Sequence, residues 1–78
     1  MIQVRVRFFA SLRERFDRAE QLVETTPGGT VADLWAQVSG QASLPENLLC
    51  ARNHDYVTPD ATLRDGDEVA FFPPVTGG

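Results

Sequence analysis

Lysine is absent from this 78-residue sequence, and cysteine, histidine, tryptophan and tyrosine each occur once. A single cysteine cannot close an internal disulfide, and a single histidine cannot build a multi-ligand metal site alone. No metal site is expected, and a reduced, cytoplasmic setting is the default. No apolar run approaches the roughly 20 residues that span a bilayer. The opening Met1-Ile2-Gln3-Val4-Arg5 reads as strand and not as the apolar core of a signal peptide, so no membrane association is expected. Positive charge is scarce as well: seven arginines face eleven carboxylates, for a net charge of −4. That balance argues against nucleic acid, whose phosphate backbone requires clustered cations. A basic protein partner remains open, because charge steers encounter. One small domain of this length is not expected to enclose a deep catalytic pocket. A carrier, a subunit or a binding module is what remains.

What is present is patterned. Ile2, Val4, Val6 and Phe8 alternate with Gln3, Arg5, Arg7 and Phe9, the period of a half-buried strand. Ser11-Leu12-Arg13-Glu14 has the form of a capping box, and Leu12 and Phe16 at i, i+4 predict a short helix over about residues 12 to 17. Gln21 to Thr25 reads as a second strand, halted by Pro27-Gly28-Gly29. Thr30 caps a second helix with Asp33 in its first turn. Its Val31, Leu34, Trp35 and Val38 form one apolar stripe, and Gly40 stands where a left-handed C-cap belongs. Residues 41 to 47 are a loop. Leu48 to Arg52 and Tyr56-Val57 are strands joined through Asn53-His54-Asp55. Asp65-Gly66-Asp67 turns into a last strand, Glu68 to Phe72, which Pro73-Pro74 end because neither can donate to a ladder. The order β-(short α)-β-α-β-β-β gives an α+β domain over residues 1–74, with the main helix on one sheet face. Residues 75–78 form a flexible tail.

The internal candidates for chemistry are weak. Cys50 lies in an apolar strand, where cysteine is a small buried hydrophobe, and only Arg52 is near enough to activate it. His54 sits beside Asp55 in a turn, a solvated position. The carboxylates at 65, 67 and 68 do not have calcium-loop spacing. Gly28-Gly29 before a helix lacks the dinucleotide and P-loop patterns, and Asp33 would repel phosphate.

The tail is different. Gly77-Gly78 carries no side chains, so this backbone is a thread that can enter a channel too narrow for other residues. Its last group is an unhindered carboxylate that can be activated as an acyl-adenylate. Pro73-Pro74 stiffen the exit and lower the entropy lost on insertion. Glycine-rich chain ends also occur without function, but here the diglycine follows a strand, a double proline and a short thread. Lysine's absence leaves the N-terminus as the only primary amine for an activated end to acylate, although an arginine-biased genome explains the same absence. Strand parity points Phe9 and Phe72 away from the core. Together they would make an apolar patch beside the tail that Tyr56 could extend as an anchor, unless loops or the short helix cover it.

The segment Leu63-Arg64-Asp65-Gly66-Asp67-Glu68-Val69-Ala70-Phe71-Phe72-Pro73-Pro74-Val75-Thr76-Gly77-Gly78 resembles the C-terminus of the small, sulfur-carrier subunits of molybdopterin synthase. Val4-Arg5-Val6-Arg7-Phe8-Phe9-Ala10 is similar to that family's start, and Thr30-Val31-Ala32-Asp33-Leu34-Trp35 to its main helix. The Phe-Phe-Pro-Pro-Val-Thr-Gly-Gly ending is the specific part. The resemblance implies a ubiquitin-like β-grasp fold, with a mixed sheet of four to five strands on one main helix. It implies that an adenylyltransferase resembling the ubiquitin-activating enzymes adenylates Gly78, and that the glycyl adenylate becomes a thiocarboxylate (1-thioglycine). The tail, with Pro73, Pro74, Val75 and Thr76, would then enter the synthase large subunit and give its sulfur to cyclic pyranopterin monophosphate. No bound cofactor is implied, nor activity of the chain alone. Phe9 and Phe72 would lie in the subunit interface. Arg52 departs from the family, which commonly has an apolar residue there, and raises the question of an ion pair at that edge. A carrier for thiamine, cysteine or transfer-RNA thiolation, and a ubiquitin-like module whose tail does no chemistry, are the alternatives. Carriers of the former kind generally lack the Phe-Phe-Pro-Pro segment.

Overall fold

A computed structural model of the chain describes residues 1–41 and 48–73. Seven elements follow in order: β1 (Ile2–Phe8), α1 (Ser11–Phe16), β2 (Glu20–Thr25), α2 (Val31–Ser39), β3 (Leu49–Arg52), β4 (Asp55–Val57) and β5 (Glu68–Phe72). The strands form one mixed sheet in the order β2-β1-β5-β3-β4. Its central pair, β1 and β5, is parallel, and the remaining pairs are antiparallel. This is the five-stranded, ubiquitin-like β-grasp arrangement that the resemblance implies.

The alternation in β1 does what period two requires. Val4, Val6 and Phe8 are buried on the helix side, while Gln3 and Arg5 are exposed. In β5, Val69 and Phe71 are fully buried on that same side. Over them lie Val31, Leu34 and Trp35 of α2, each with no exposed surface. The rings interlock there: Trp35 meets Phe71 edge-on at 5.0 Å, and Phe8 stacks on Phe16 at 4.7 Å. Such pairs add about 0.5–1.5 kcal/mol beyond the area they bury.

Both ends of α2 are as the sequence predicts. The Thr30 hydroxyl accepts from the Asp33 N–H at 3.2 Å and the Asp33 carboxylate accepts from the Thr30 N–H at 2.9 Å, a reciprocal box. Gly40 closes the helix at φ 76°, its N–H on the Ala36 carbonyl. The start of α1 is different. Ser11 is not the cap but the first helical residue, and Ala10 holds the cap position at φ 52°. The sharp bend at Ala10 is what brings Leu12 into the core, directly after Phe9 has pointed the other way. Burial of Leu12 and Phe16 thus decides the helix start over the Ser-x-x-Glu pattern.

The Asp65-Gly66-Asp67 turn is bolted to β1. Asp65 accepts from the Gln3 N–H at 2.8 Å, the Gly66 N–H donates to the Gln3 carbonyl, and Gly66 has φ 87°. Asp67 is 8% exposed and accepts from the Asn53 side chain at 2.9 Å and the Arg64 N–H at 2.8 Å. These carboxylates are therefore turn ligands for backbone and amide donors. Among the described residues, no group of three His, Cys, Asp or Glu side chains could hold a metal ion. No described helix is long and apolar enough to cross a membrane.

Candidate functional site

The site begins where strand parity splits two pairs of neighbouring phenylalanines. Phe8 and Phe71 enter the core, so Phe9 and Phe72 emerge on the opposite sheet face, both partly exposed. Their rings stack there at 4.8 Å with 18° between planes. Tyr56, 74% exposed, stands 6.1 Å from Phe72. The three aromatic residues proposed from sequence therefore form one platform, with Phe9 and Phe72 partly exposed and Tyr56 mostly so.

Ladder register explains its shape. Arg7, Ala70, Ala51 and Tyr56 lie in a single row across β1, β5, β3 and β4. The two alanines leave a depression of about 180 Å³ between the larger side chains. Leu49, opposite Phe72 in register and 42% exposed, extends the apolar surface. Leu49 and the alanine floor were not identified as site residues from sequence. Their signal was available in the same parity that exposes Phe72, but it requires knowing that β3 pairs with β5.

One side of the platform is charged. The Glu68 carboxylate lies 3.2 Å from His54 Nε2 and 3.9 Å from an Arg7 guanidinium nitrogen. Arg7 also lies over Phe9, 5.3 Å from the ring centroid. His54 is held there by the turn: Asn53 and His54 both have positive φ, and the Asn53 side-chain oxygen accepts from the Glu68 N–H at 2.9 Å. His54 remains solvated, as expected, with its side chain 82% exposed.

The other candidates resolve as structural. Cys50 is 3% exposed and donates weakly to the Val57 carbonyl at 3.3 Å. Burial pushes its thiol above the usual range, the reverse of what a nucleophile needs. Arg52 shares the inner face with Cys50 yet donates to the Thr62 carbonyl at 2.6 Å. The odd cation at this edge is thus satisfied by backbone, and no ion pair is needed there. Pro73 follows Phe72 directly, so the chain leaves the sheet at the edge of the aromatic platform. Pro74, Val75, Thr76, Gly77 and Gly78 lie outside the described residues.

Comparisons with known proteins bear on the family and the fold. The model of the ThiS family matches residues 6–78. The molybdopterin synthase sulfur carrier subunit of Escherichia coli is 42% identical, covering 96% of this chain and 99% of its own. That of Chlamydomonas reinhardtii is 37% identical, covering 99% and 100%. Among solved structures, the small archaeal modifier protein 1 of Haloferax volcanii superposes with a TM-score of 0.86 over 96% of this chain and all of its own. At 23% identity, that match speaks for the fold alone. A chain from the Helicobacter pylori complex of subunits 1 and 2 of molybdopterin-converting factor superposes with a TM-score of 0.65 at 25% identity, over 99% of this chain and 100% of its own. The chain belongs to the ThiS family, and within it groups with the molybdopterin synthase sulfur carrier subunits.

Proposed function

We propose that this chain is the sulfur carrier subunit of a molybdopterin synthase, and that the carboxyl group of Gly78, as the free end of the working protein, carries the sulfur. The observation that supports it most is the stacked pair Phe9–Phe72, an outward-facing platform at the foot of a segment that closes on Gly77-Gly78. Aromatic residues are enriched at docking surfaces and serve there as anchors.

The chemistry needs two partners. In an adenylyltransferase resembling the ubiquitin-activating enzymes, a carboxylate oxygen of Gly78 attacks the α-phosphate of ATP and pyrophosphate leaves. The resulting acyl-adenylate has AMP as its leaving group, so a sulfur nucleophile displaces AMP and leaves the thiocarboxylate. The platform formed by Phe9, Tyr56 and Phe72 then docks on the synthase large subunit, and Pro73, Pro74, Val75 and Thr76 direct the thread inward. There the thiocarboxylate sulfur bonds to a carbon of cyclic pyranopterin monophosphate as a carbon–oxygen bond of that substrate breaks. Water then cleaves the resulting thioester, leaving the sulfur on the substrate and restoring the Gly78 carboxylate. This chain supplies no general acid or base to that step. The pocket and proton transfers are the large subunit's, and the chain is not an enzyme by itself. It carries no bound cofactor beyond these modified states of its end. Its setting is the cytoplasm, where Cys50 stays reduced.

The test is to incubate the purified chain with such an adenylyltransferase, ATP and sulfide, and to measure its intact mass. The expected product is heavier by the difference between one sulfur and one oxygen, with the change localised to Gly78. An unchanged mass with an enzyme shown active on another carrier rejects the proposal.

A further inference from the structure

The charged side of the depression has no part in the sulfur chemistry, yet its geometry selects a partner. Arg7 projects from the centre of the sheet with its side chain 43% exposed. It is stacked over Phe9 at 5.3 Å, which fixes its direction. Its ion pair with Glu68 is long, 3.9 Å, and His54 Nε2 lies nearer the same side chain, 3.2 Å from its other carboxylate oxygen. Most of the guanidinium fork thus has no acceptor among the described residues. Beside it, Ala70 and the 7% exposed Ala51 floor a recess with room for an apolar side chain. The chain as a whole carries a net charge of −4, so a cation presented at the rim of an apolar surface calls for a complementary anion.

Resting on the assignment of this face to the large subunit, we infer that the large subunit seats an apolar side chain over Ala51 and Ala70 with a carboxylate beside it, and that Arg7 receives this carboxylate. A guanidinium matches a carboxylate through two parallel N–H donors. At the rim of the closed platform the pair steers the encounter and adds specificity, and it remains open to screening by salt.

The experiment measures the dissociation constant of the intact chain and its large subunit across a range of sodium chloride concentrations. Arg7→Gln is expected to weaken binding at least fivefold at low salt and to flatten the salt dependence, since the screened pair is gone. Ala70→Leu, which fills the recess on an exposed sheet face, is expected to weaken binding at least tenfold with the far-ultraviolet circular dichroism unchanged. Arg7→Gln with wild-type affinity, or with a wild-type salt slope, overturns the carboxylate. Wild-type binding by Ala70→Leu overturns the seated side chain. Phe72→Ala keeps the two readings apart. If it alone loses affinity, the platform stands and this inference fails; if all three bind normally, the docking face itself is wrong.

Discussion

The two faces of the sheet contain the same kinds of residue put to opposite uses. On the helix side, Phe8, Phe16, Trp35 and Phe71 interlock, and three of the four are at most 2% exposed. On the other side, Phe72 stacks on Phe9, lies 6.1 Å from Tyr56, and all three face outward. Phe8 and Phe9 are adjacent in sequence, as are Phe71 and Phe72, so composition and propensity do not separate them. Only strand parity does. The difference teaches that the inner rings make the fold and the outer rings are available to a partner, a division that substitutions can break or sharpen.

The largest expected effect lies beyond both faces. Deleting Gly78 should abolish sulfur transfer and leave the urea unfolding curve unchanged; a lowered midpoint would show that the tail belongs to the folded body. Phe71→Ala comes next. It empties the centre of the core and should cost about 3–5 kcal/mol of stability, read by chemical denaturation. Its neighbour is the counter-test: Phe72→Ala should weaken large-subunit binding by about 1–3 kcal/mol and move the unfolding midpoint far less than Phe71→Ala. Equal destabilisation by the two variants would erase the distinction between the faces. Thr30→Ala removes one arm of the capping box and should cost about 0.5–2 kcal/mol without affecting transfer.

The smallest effect is a pH slope. The folded Cys50 thiol ionises above its ordinary range because it is buried, whereas the unfolded thiol ionises within that range. Its contribution to stability is therefore intact below the ordinary thiol range and declines as pH rises through it. Cys50→Ala should lose that slope and keep full transfer activity. A slope that persists in Cys50→Ala would assign it to another group.

Regular alternation made β1 and β5 readable from sequence, and their shared parity was enough to expose Phe9 and Phe72. The Thr30–Asp33 box and Gly40 likewise fixed α2 because each end depends only on local residues. The limits were non-local. Ser11 looked like a cap, but the demand to bury Leu12 and Phe16 placed Ala10 there instead. Ala51 and Ala70 became a recess only once β3 paired with β5, a register that no local pattern in a four-residue strand encodes. The juxtaposition of His54 with Glu68 depends on a turn in which Asn53 reaches the start of β5. The diglycine end lies outside the described residues, and the chemistry proposed for it rests on residue type and position alone.

The central claim, that the polypeptide end is the reagent, is tested most directly by a single turnover. Thiocarboxylated chain is mixed with the large subunit and cyclic pyranopterin monophosphate, and intact mass and dithiolene product are followed together. The chain should revert to its unmodified mass in step with product, one sulfur lost from Gly78 for each sulfur gained. Product accumulating at its normal pace while the modified mass persists would contradict the account.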